Sequence, residues 1–337
     1  MNSKKLIFSC IVFLALLAQK QYNMQYALGI DIGGTSTKLA LVDATGAIHE
    51  RGSFSTSERS GEQDFFRHLF ACIEKMLANG ADIMGIAAGA PSVNEQQGTI
   101  ENAANLPFSP RVEIVKTVQE RFGLPTQLVK DSNASTLGEW HYGAAKGMRN
   151  FMLLTLGTGL GCGIVANGQL LGGQYGHSGE AGHICVEPGG RACGCGRHGC
   201  TETYVSATGL KRTVFELMAN TMTDSVLRNI SYHDLTARHV SDAAFAGDAL
   251  ALAAFGKTGE VLGRAIADMA AWFEPEAVVL SGGLAMAGDL LFVPTIENLE
   301  RYSLAFHKGH KIKVVPSALG ENDAALLGAA ALVWKAI

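Results

Sequence analysis

Metal-type ligands and carboxylates are concentrated in a glycine-rich stretch near the middle of the chain, which we call the cysteine loop (Glu180–Glu202). In chain order, these side chains are Glu180, His183, Cys193, Cys195, Cys200 and Glu202. Thiolate and imidazole groups are the ligands that a closed tetrahedral zinc site prefers. The close spacing of the first two cysteines needs a sharply bent backbone, which the surrounding glycines permit. The pattern therefore predicts a structural zinc site that stiffens this loop.

Disulfide pairing is the main alternative for three clustered cysteines, although the seven cysteines of the chain would leave an odd one unpaired. Disulfides serve mostly small domains in oxidising compartments, whereas a chain of 337 residues with 47% hydrophobic content can bury a core without them. Zinc is therefore the favoured interpretation. Cys185 and His198 are rival ligands within the loop. Cys10, Cys72 and Cys162 lie in apolar surroundings that are typical of inert core thiols.

Two glycine turns occupy equivalent places in the two halves of the chain. The first glycine turn (Asp31–Thr35) follows an apolar strand from Tyr26, and the second glycine turn (Gly157–Gly159) follows the strand from Phe151 to Leu156. Backbone N–H groups in such turns can surround phosphate oxygens. A Walker A lysine is absent, and the first turn leads into a strand, unlike a dinucleotide fingerprint. One turn alone is an ordinary hairpin, but the pair predicts a polyphosphate held from both sides.

The pattern around these turns predicts a mixed α/β fold of two related lobes that face a cleft, with helices flanking each sheet. Further buried strands are predicted over Asp82–Ala88 and Ala277–Leu280, and Asn167-Gly168 is a hairpin signal. The second of these strands is followed by Ser281, Gly282 and Gly283. A helix turn after this glycine pair would offer hydrogen-bond donors to the ribose and adenine side of a nucleotide.

Asp131 is the best candidate for a general base. It follows an apolar strand, Thr126–Val129, and precedes a helical segment, so its carboxylate should stand at the carboxyl end of a strand. Moving a phosphoryl group asks for positioning, charge neutralisation and one group that accepts the proton of the acceptor hydroxyl. Helix capping alone would also place an aspartate at this junction, and the two explanations are equally good on position.

The chain resembles the ROK sugar kinases, a family within the hexokinase and actin-like ATPase superfamily, from Met24 to the C-terminus. The resemblance is carried by the two glycine turns, Asn105-Leu106-Pro107, Asp131 with Asn133, and above all the long spaced signature of the cysteine loop. It implies a two-lobe fold and ATP-dependent phosphorylation of a hexose. Glucokinases are the branch that the cysteine pattern resembles most.

The family resemblance also assigns roles to particular residues. It implies that Asp131 is the base, and that zinc is held by His183, Cys193, Cys195 and Cys200. The implied sugar ligands are Asn105, Glu180, His183 and Glu202, and we expect Lys130 and Asp131 to line the same site. The implied phosphate-binding residues are Asp31, Gly33, Gly34, Thr35, Gly157, Thr158 and Gly159. The junction after the second buried strand adds Gly282 and Gly283 to the predicted ATP-binding residues. Mg²⁺ is expected to enter with ATP, and Asp31 is the carboxylate expected near it.

Lys130 departs from the family pattern, which usually has asparagine just before the catalytic aspartate. A lysine can donate hydrogen bonds, but its hydrated point charge is no copy of an amide. The positive charge would favour an ionised Asp131 and so make it a weaker base. Glucose is the leading substrate, and N-acetylhexosamines such as mannosamine or glucosamine derivatives, or fructose, are the alternatives.

Two non-enzymatic interpretations compete with the kinase. A sugar-responsive repressor would need a recognition helix and a basic surface, and a net charge of −4 offers no footprint for nucleic acid. A sugar sensor without turnover would explain Lys130, but the intact Asp131 and both glycine turns argue against it. The expected partners are therefore a hexose and ATP, with no nucleic acid and no membrane.

We predict three parts of the chain. Residues 1–23 form a signal-like extension, residues 24–140 with the C-terminal helix 324–337 form a small lobe, and residues 141–323 form a large lobe with the cysteine loop. The extension has two lysines before an apolar run that is shorter than the ~20 residues of a membrane span. Free thiols suit a reducing compartment, so a cytoplasmic protein is expected. A homodimer is expected, as is common among soluble proteins.

Overall fold

The computed structural model describes residues 25–103, 106–108, 110–307, 311–320 and 323–335. The predicted extension (1–23), Cys10 and the predicted sugar ligand Asn105 lie outside the described residues. The chain divides into two compact units. The first comprises residues up to Asp131 together with those from Ala329 onward, and the second comprises Ser132–Gly328.

The first unit is built on a sheet of apolar strands. In chain order its strands are β1 (Gln25–Ile32), β2 (Ser36–Val42), β3 (Ile48–Ser55), β4 (Asp82–Ala90), β5 (Val93–Asn94), β6 (Thr99–Glu101), β7 (Arg111–Glu113) and β8 (Thr126–Lys130). The main sheet has the order β3-β2-β1-β4-β8, and β5, β6 and β7 form a separate small sheet. β1 pairs antiparallel with β2 and parallel with β4, which in turn pairs parallel with β8. The carboxyl ends of β1, β4 and β8 therefore share one edge.

Two helices of this unit cover the sheet, α1 (Glu62–Leu77) and α2 (Ile114–Phe122). α1 buries Phe65, Leu69, Ile73 and Met76, which recur at the spacing of one helical face. The end of α2 is set by Gly123, whose backbone is left-handed at φ 68. Phe65 and Ile73 join the strand residues in one apolar core.

The second unit repeats the sheet plan of the first. Its strands are β9 (Phe151–Leu156), β10 (Leu160–Ala166), β11 (Gln169–Leu170), β12 (Ala277–Ser281) and β13 (Lys313–Pro316), in the order β11-β10-β9-β12-β13. As in the first unit, a hairpin is followed by parallel strands, here β9, β12 and β13. Asn167 and Gly168 form the predicted hairpin turn with φ values of 54 and 76, as a two-residue turn between right-twisted strands requires. The duplicated plan predicted from the sequence is confirmed.

The remaining helices are α3 (Asp131–Tyr142), α4 (Ala207–Asn220), α5 (Ala237–Phe245), α6 (Ala249–Phe273), α7 (Asp289–Tyr302) and α8 (Ala324–Lys335). Side chains of Ser206, Thr236 and Asp248 cap α4, α5 and α6 by accepting from amides of the first turn. α6 packs closely on α7, since a Cβ on Gly263 would lie 2.4 Å from the carbonyl oxygen of Thr295. Among the described residues, no helix is both long enough and apolar enough to cross a bilayer.

Glycines bring α3 and α8 into backbone contact. A Cβ on Gly328 would lie 1.6 Å from the carbonyl oxygen of Ala134, and one on Gly138 would lie 2.1 Å from that of Ala324. Larger residues at these two glycines would force the helices apart. Since α3 begins at Asp131, this packing fixes the helix that follows the candidate base.

Candidate active site

Four side chains of the cysteine loop converge in the second unit. One ligand atom from each of His183, Cys193, Cys195 and Cys200 lies within 4.8 Å of all the others. The sulfurs of Cys195 and Cys200 are 3.7 Å apart, and the Cys193 sulfur is 3.6 Å from His183 Nδ1. A tetrahedral ion with Zn–S bonds of about 2.3 Å and a Zn–N bond of about 2.0 Å needs about 3.8 Å and about 3.5 Å for these separations. The donor set and its spacing therefore fit zinc.

The protonation behaviour of the thiols agrees with a cation-binding role. Burial, together with contacts with Cys195 and Cys193, raises the pKa of Cys200 to about 12. The backbone amide of Arg197 lowers the pKa of Cys195 by hydrogen bonding to its sulfur. Since metal binding requires thiolates, a buried thiolate at Cys200 would be stabilised by a positive partner such as a metal ion.

The two rival ligands lie outside this cluster. Cys185 is exposed, and its thiol donates to the carbonyl oxygen of His198 at 3.5 Å. Neither side chain joins the group of four. All the cysteines that the structure describes are free, and Cys72 and Cys162 lie well apart in sequence, half-buried and buried respectively.

The loop bends as the glycines predict. Cys193 N–H donates to Arg197 at 2.9 Å and Gly196 N–H donates to Cys193 at 3.1 Å, so this tip is a tight turn. Gly196 and Gly199 have φ values of 86 and 75. A Cβ on Gly199 would lie 1.7 Å from the carbonyl oxygen of Glu187, so glycine is required there on both counts.

Arg191 anchors the loop to α4, a contact that the sequence analysis did not predict. Its guanidinium donates to Thr203 O, Gly209 O, Thr213 Oγ1 and both carboxylate oxygens of Glu216. It also stacks 4.3 Å from the centre of the Tyr204 ring. Local sequence gives no signal for this arginine, because its partners come from a helix up to 25 residues away.

His183 presents its second nitrogen to a carboxylate. With Nδ1 turned toward Cys193, Nε2 lies 3.8 Å from Glu180 Oε2. If Nδ1 ligates a metal, Nε2 carries the hydrogen and can donate to an oxygen on this side. Glu180 is exposed, so the pair can reach a small molecule.

Glu202 points toward the second glycine turn. Its Oε2 accepts from the backbone N–H of Leu160 at 2.9 Å. In the same turn, Gly157 N–H donates to Gly159 O at 3.0 Å, and Thr158 is exposed. The turn, Glu202 and the metal-type cluster are thus neighbours within one unit.

The predicted glycine pair after β12 also lies beside this turn. Gly282 has φ 89, and a Cβ there would lie 2.6 Å from the carbonyl oxygen of Leu156, which accepts from Leu284 N–H at 3.0 Å. The predicted helix turn after Gly283 is a short 3-10 turn (Ala285–Ala287). It does not continue into a longer helix, because Gly288 has φ 58 and ψ −133, and α7 begins at Asp289.

The first unit brings Asp31 and Asp131 together. Asp31 pairs with Gly89 on β4, and Val129 pairs with the same Gly89, so both aspartates stand at the shared carboxyl edge of the parallel strands. Burial is the main reason that the pKa of Asp31 is raised to about 6. The positive charge of Lys38 opposes this shift, and the negative charge of Asp131 adds to it. Like charges at this edge are the arrangement that a divalent cation relieves.

The rest of the first glycine turn is held by backbone contacts. Gly33 N–H donates to Ser36 O at 3.1 Å, and Thr35 O accepts from Thr56 N–H at 2.9 Å. Gly34 lies between them and, like Gly33, is partly exposed. The turn therefore leaves its glycines accessible while its two ends are fixed.

Lys130 ends β8 directly before Asp131. Its backbone N–H donates to Glu95 Oε1 at 3.3 Å, a partner that the sequence analysis did not predict. The strand end and helix start at this junction are confirmed, with β8 ending at Lys130 and α3 starting at Asp131.

The ROK family profile matches residues 27–336. The chain belongs to the ROK family. A glucokinase of Halalkalibacterium halodurans is 36% identical over 317 residues, which cover 92% of this chain and 95% of that protein. An N-acetylmannosamine kinase of Escherichia fergusonii is 29% identical, covering 90% of this chain and 97% of that protein.

Solved structures resemble this ROK protein along most of its length. The crystal structure of a ROK glucokinase from Streptomyces griseus in complex with glucose and AMPPNP superposes with a TM-score of 0.77 at 30% identity, covering 92% of this chain and 99% of that chain. The ROK resemblance and the mixed α/β fold of the actin-like ATPase type are therefore confirmed.

Proposed function

We propose that this ROK protein is an ATP-dependent sugar kinase whose preferred substrate is glucose, phosphorylated at the 6-hydroxyl. The glucokinase names of its relatives support the reaction class. The observation that carries the mechanism is the placement of Asp131 beside Asp31 at the carboxyl edge of β1, β4 and β8. One carboxylate can serve a hydroxyl and the other a cation.

Asp131 is the proposed general base. Phosphoryl transfer requires little covalent chemistry from a protein, so the decisive group is the one that accepts the proton of the acceptor hydroxyl. Asp131 is the first residue of α3, and the close contacts at Gly138 and Gly328 fix that helix against α8. A carboxylate fixed in this way lowers the entropy cost of bringing the base and the hydroxyl into a reactive geometry.

The sugar is proposed to bind through acceptors and donors of complementary type. Glu180, Glu202 and Asp131 accept from hydroxyls, while His183 Nε2 donates and Lys130 donates through its ammonium group. Asn105 is the remaining proposed sugar ligand. His183, Cys193, Cys195 and Cys200 would hold zinc, which would supply rigidity to the cysteine loop without taking part in phosphoryl transfer.

The nucleotide is proposed to bind at the two glycine turns. Gly33, Gly34, Thr35 and Gly157, Thr158, Gly159 would surround the phosphates, with Gly282 and Gly283 on the ribose side. Mg²⁺ would neutralise phosphate charge, with Asp31 as the carboxylate nearest to it. A homodimer and a cytoplasmic location stay predictions.

A second candidate substrate is an N-acetylhexosamine, and a third is fructose. Lys130 is the reason for considering these two sugars, because it stands where the family usually has an asparagine whose amide binds the sugar. The N-acetylmannosamine kinase relative shows that such a kinase can share 29% identity with this chain.

The proposed function is tested by measuring ADP release with a panel of hexoses at saturating MgATP. We expect glucose to give the highest kcat/KM and Asp131→Asn to abolish the hexose-dependent rate. Hexose binding without any hexose-dependent ADP release would refute the kinase and favour a sugar sensor. A higher kcat/KM for N-acetylmannosamine would refute only the sugar assignment.

A further inference from the structure

The two oxygens of the Glu202 carboxylate face two different regions. Oε2 accepts from Leu160 N–H, the first amide after the second glycine turn, at 2.9 Å. Oε1 lies 4.0 Å from the sulfur of Cys193, one of the four metal-type ligands. A single side chain thus connects the cysteine cluster to the phosphate side of the site.

The backbone around Glu202 strengthens this connection. The segment that follows it reaches the same turn twice: Ala207 N–H donates to Gly157 O at 2.9 Å, and Thr208 Oγ1 donates to Thr158 O at 3.1 Å. These are the first residues of α4, so the turn is fastened to a helix start as well as to a carboxylate.

The opposite arm of the cysteine loop contacts the same place. A Cβ on Gly182 would lie 2.6 Å from the carbonyl oxygen of Leu160, and one on Gly159 would lie 2.4 Å from Glu202 Oε2. Glycine at these two positions allows the close approach of loop and turn. Leu160 is thus contacted through both its N–H and its C=O.

We propose that Glu202 is a positioning residue for the nucleotide, in addition to its proposed sugar contact. By accepting from Leu160 N–H it holds the second glycine turn in the conformation that receives the polyphosphate, so the cysteine loop serves both substrates. The inference rests on the proposed function, because it takes this turn to be part of the ATP site. A charge-assisted hydrogen bond to a backbone amide is among the stronger ones in proteins.

The experiment measures the affinity of a non-hydrolysable ATP analogue with Mg²⁺ by calorimetry, in the absence of any sugar. Glu202→Ala is expected to weaken binding by about tenfold. Glu202→Gln keeps an acceptor oxygen for Leu160 N–H, so it should bind within about threefold of the wild type. Glu187→Gln is the matched control, since this carboxylate of the same loop contacts Arg264 at 3.8 Å and not the turn.

A second variant tests whether the effect of Glu202→Ala comes from the lost contact with Leu160 or from general disruption of the cysteine loop. Gly159→Ala leaves every member of the cysteine cluster in place but must push the Glu202 carboxylate away from Leu160. Its effect on nucleotide affinity should be smaller in the Glu202→Ala background than alone, whereas independent roles would give additive effects. The zinc content of each variant is measured in parallel.

The outcomes are distinguishable. Unchanged analogue affinity in Glu202→Ala, or fully additive effects with Gly159→Ala, would overturn the positioning role and leave the kinase proposal intact. Loss of binding in Glu202→Ala with no hexose turnover in the wild type would overturn the kinase and leave the positioning role standing. No analogue binding by the wild type would overturn both.

Discussion

The two glycine turns occupy the same place in two sheets of the same order, yet they obtain their carboxylates differently. The first turn carries its own, Asp31, within the strand that leads into it. The second turn has none, and Glu202 reaches it from 42 residues further along the chain. The duplicated scaffold therefore carries two unlike glycine turns, one with a carboxylate of its own and one contacted by a carboxylate from a distant loop.

The difference has a physical reason. Asp31 supplies the carboxylate of the first turn. Burial, opposed by the charge of Lys38 and reinforced by that of Asp131, raises its pKa to about 6, so a bound cation would stabilise its ionised form. At the second turn, the Glu202 carboxylate accepts a hydrogen bond from the backbone N–H of Leu160. We therefore expect it to position the turn and not to bind a cation.

The largest expected effect is at Asp131, the residue that only the first turn has beside it. Asp131→Asn should lower kcat by about 10²–10⁴-fold, the usual contribution of a general base, with a small change in KM. Steady-state kinetics with glucose test this. Glu95→Gln is the matched control, because the Glu95 carboxylate accepts from Lys130 N–H at the end of the same strand. This control should lower kcat far less than Asp131→Asn. Equal losses in the two variants would refute the assignment of Asp131 as the base.

The cysteine loop should matter next most, because it completes the second turn. Replacing both Cys193 and Cys195 by serine should abolish zinc binding and reduce kcat/KM for glucose by about 10²-fold or more, since supporting residues around a metal typically contribute 10–100-fold each. Metal analysis and kinetics are the measurements. Cys185→Ser is the control, as this thiol lies outside the cluster. Full activity in zinc-free protein would contradict the prediction.

Asp31 should make stability depend on pH in a way that the second turn cannot. Its folded pKa of about 6 lies above the usual pKa of 3.8 for an aspartate, so between about pH 4 and 6 the folded state binds more protons than the unfolded state. This contribution to the free energy of unfolding is therefore present at low pH and lost as pH rises through about 6.

The effect is isolated by comparing the wild type with Asp31→Asn in urea, without nucleotide or divalent cation. The variant should gain about 1–3 kcal/mol relative to the wild type between pH 4 and pH 7, because asparagine stays neutral throughout. Asp64→Asn is a contrasting control, since its partner Arg67 holds the pKa of Asp64 at about 2. A difference that does not change with pH would contradict the burial argument.

The smallest effect is expected at Lys130. Lys130→Asn should change the ranking of hexoses by less than about tenfold, because one hydrogen-bond donor replaces another and the backbone bond to Glu95 remains. The kcat/KM values for glucose and N-acetylmannosamine provide the readout. A change above about 100-fold would mean that the lysine, and not the loop, governs sugar choice.

Local patterns predicted much of this molecule. The strands around both glycine turns, the Asn167-Gly168 hairpin and the junction at Asp131 depend on short-range preferences, namely apolar runs, left-handed glycines and caps. The pattern did not indicate how long the helical segment after Gly283 is, because the backbone conformation of Gly288 ends the 3-10 turn and delays α7 to Asp289. Contacts such as Arg191 with Glu216 could not be predicted, since no periodicity joins a loop to a helix 25 residues on.

The sequence by itself determined the family and the strand and turn plan, and it limited the metal-type ligands of the cysteine loop to four residues and two rivals, because residue types at short spacings carry this information. Tertiary structure alone decided that Cys185 and His198 lie outside that set, that His183 turns Nδ1 toward Cys193, and that Glu202 meets Leu160. Side-chain direction and contacts between distant segments depend on how the packed backbone bends, and a linear pattern does not record that.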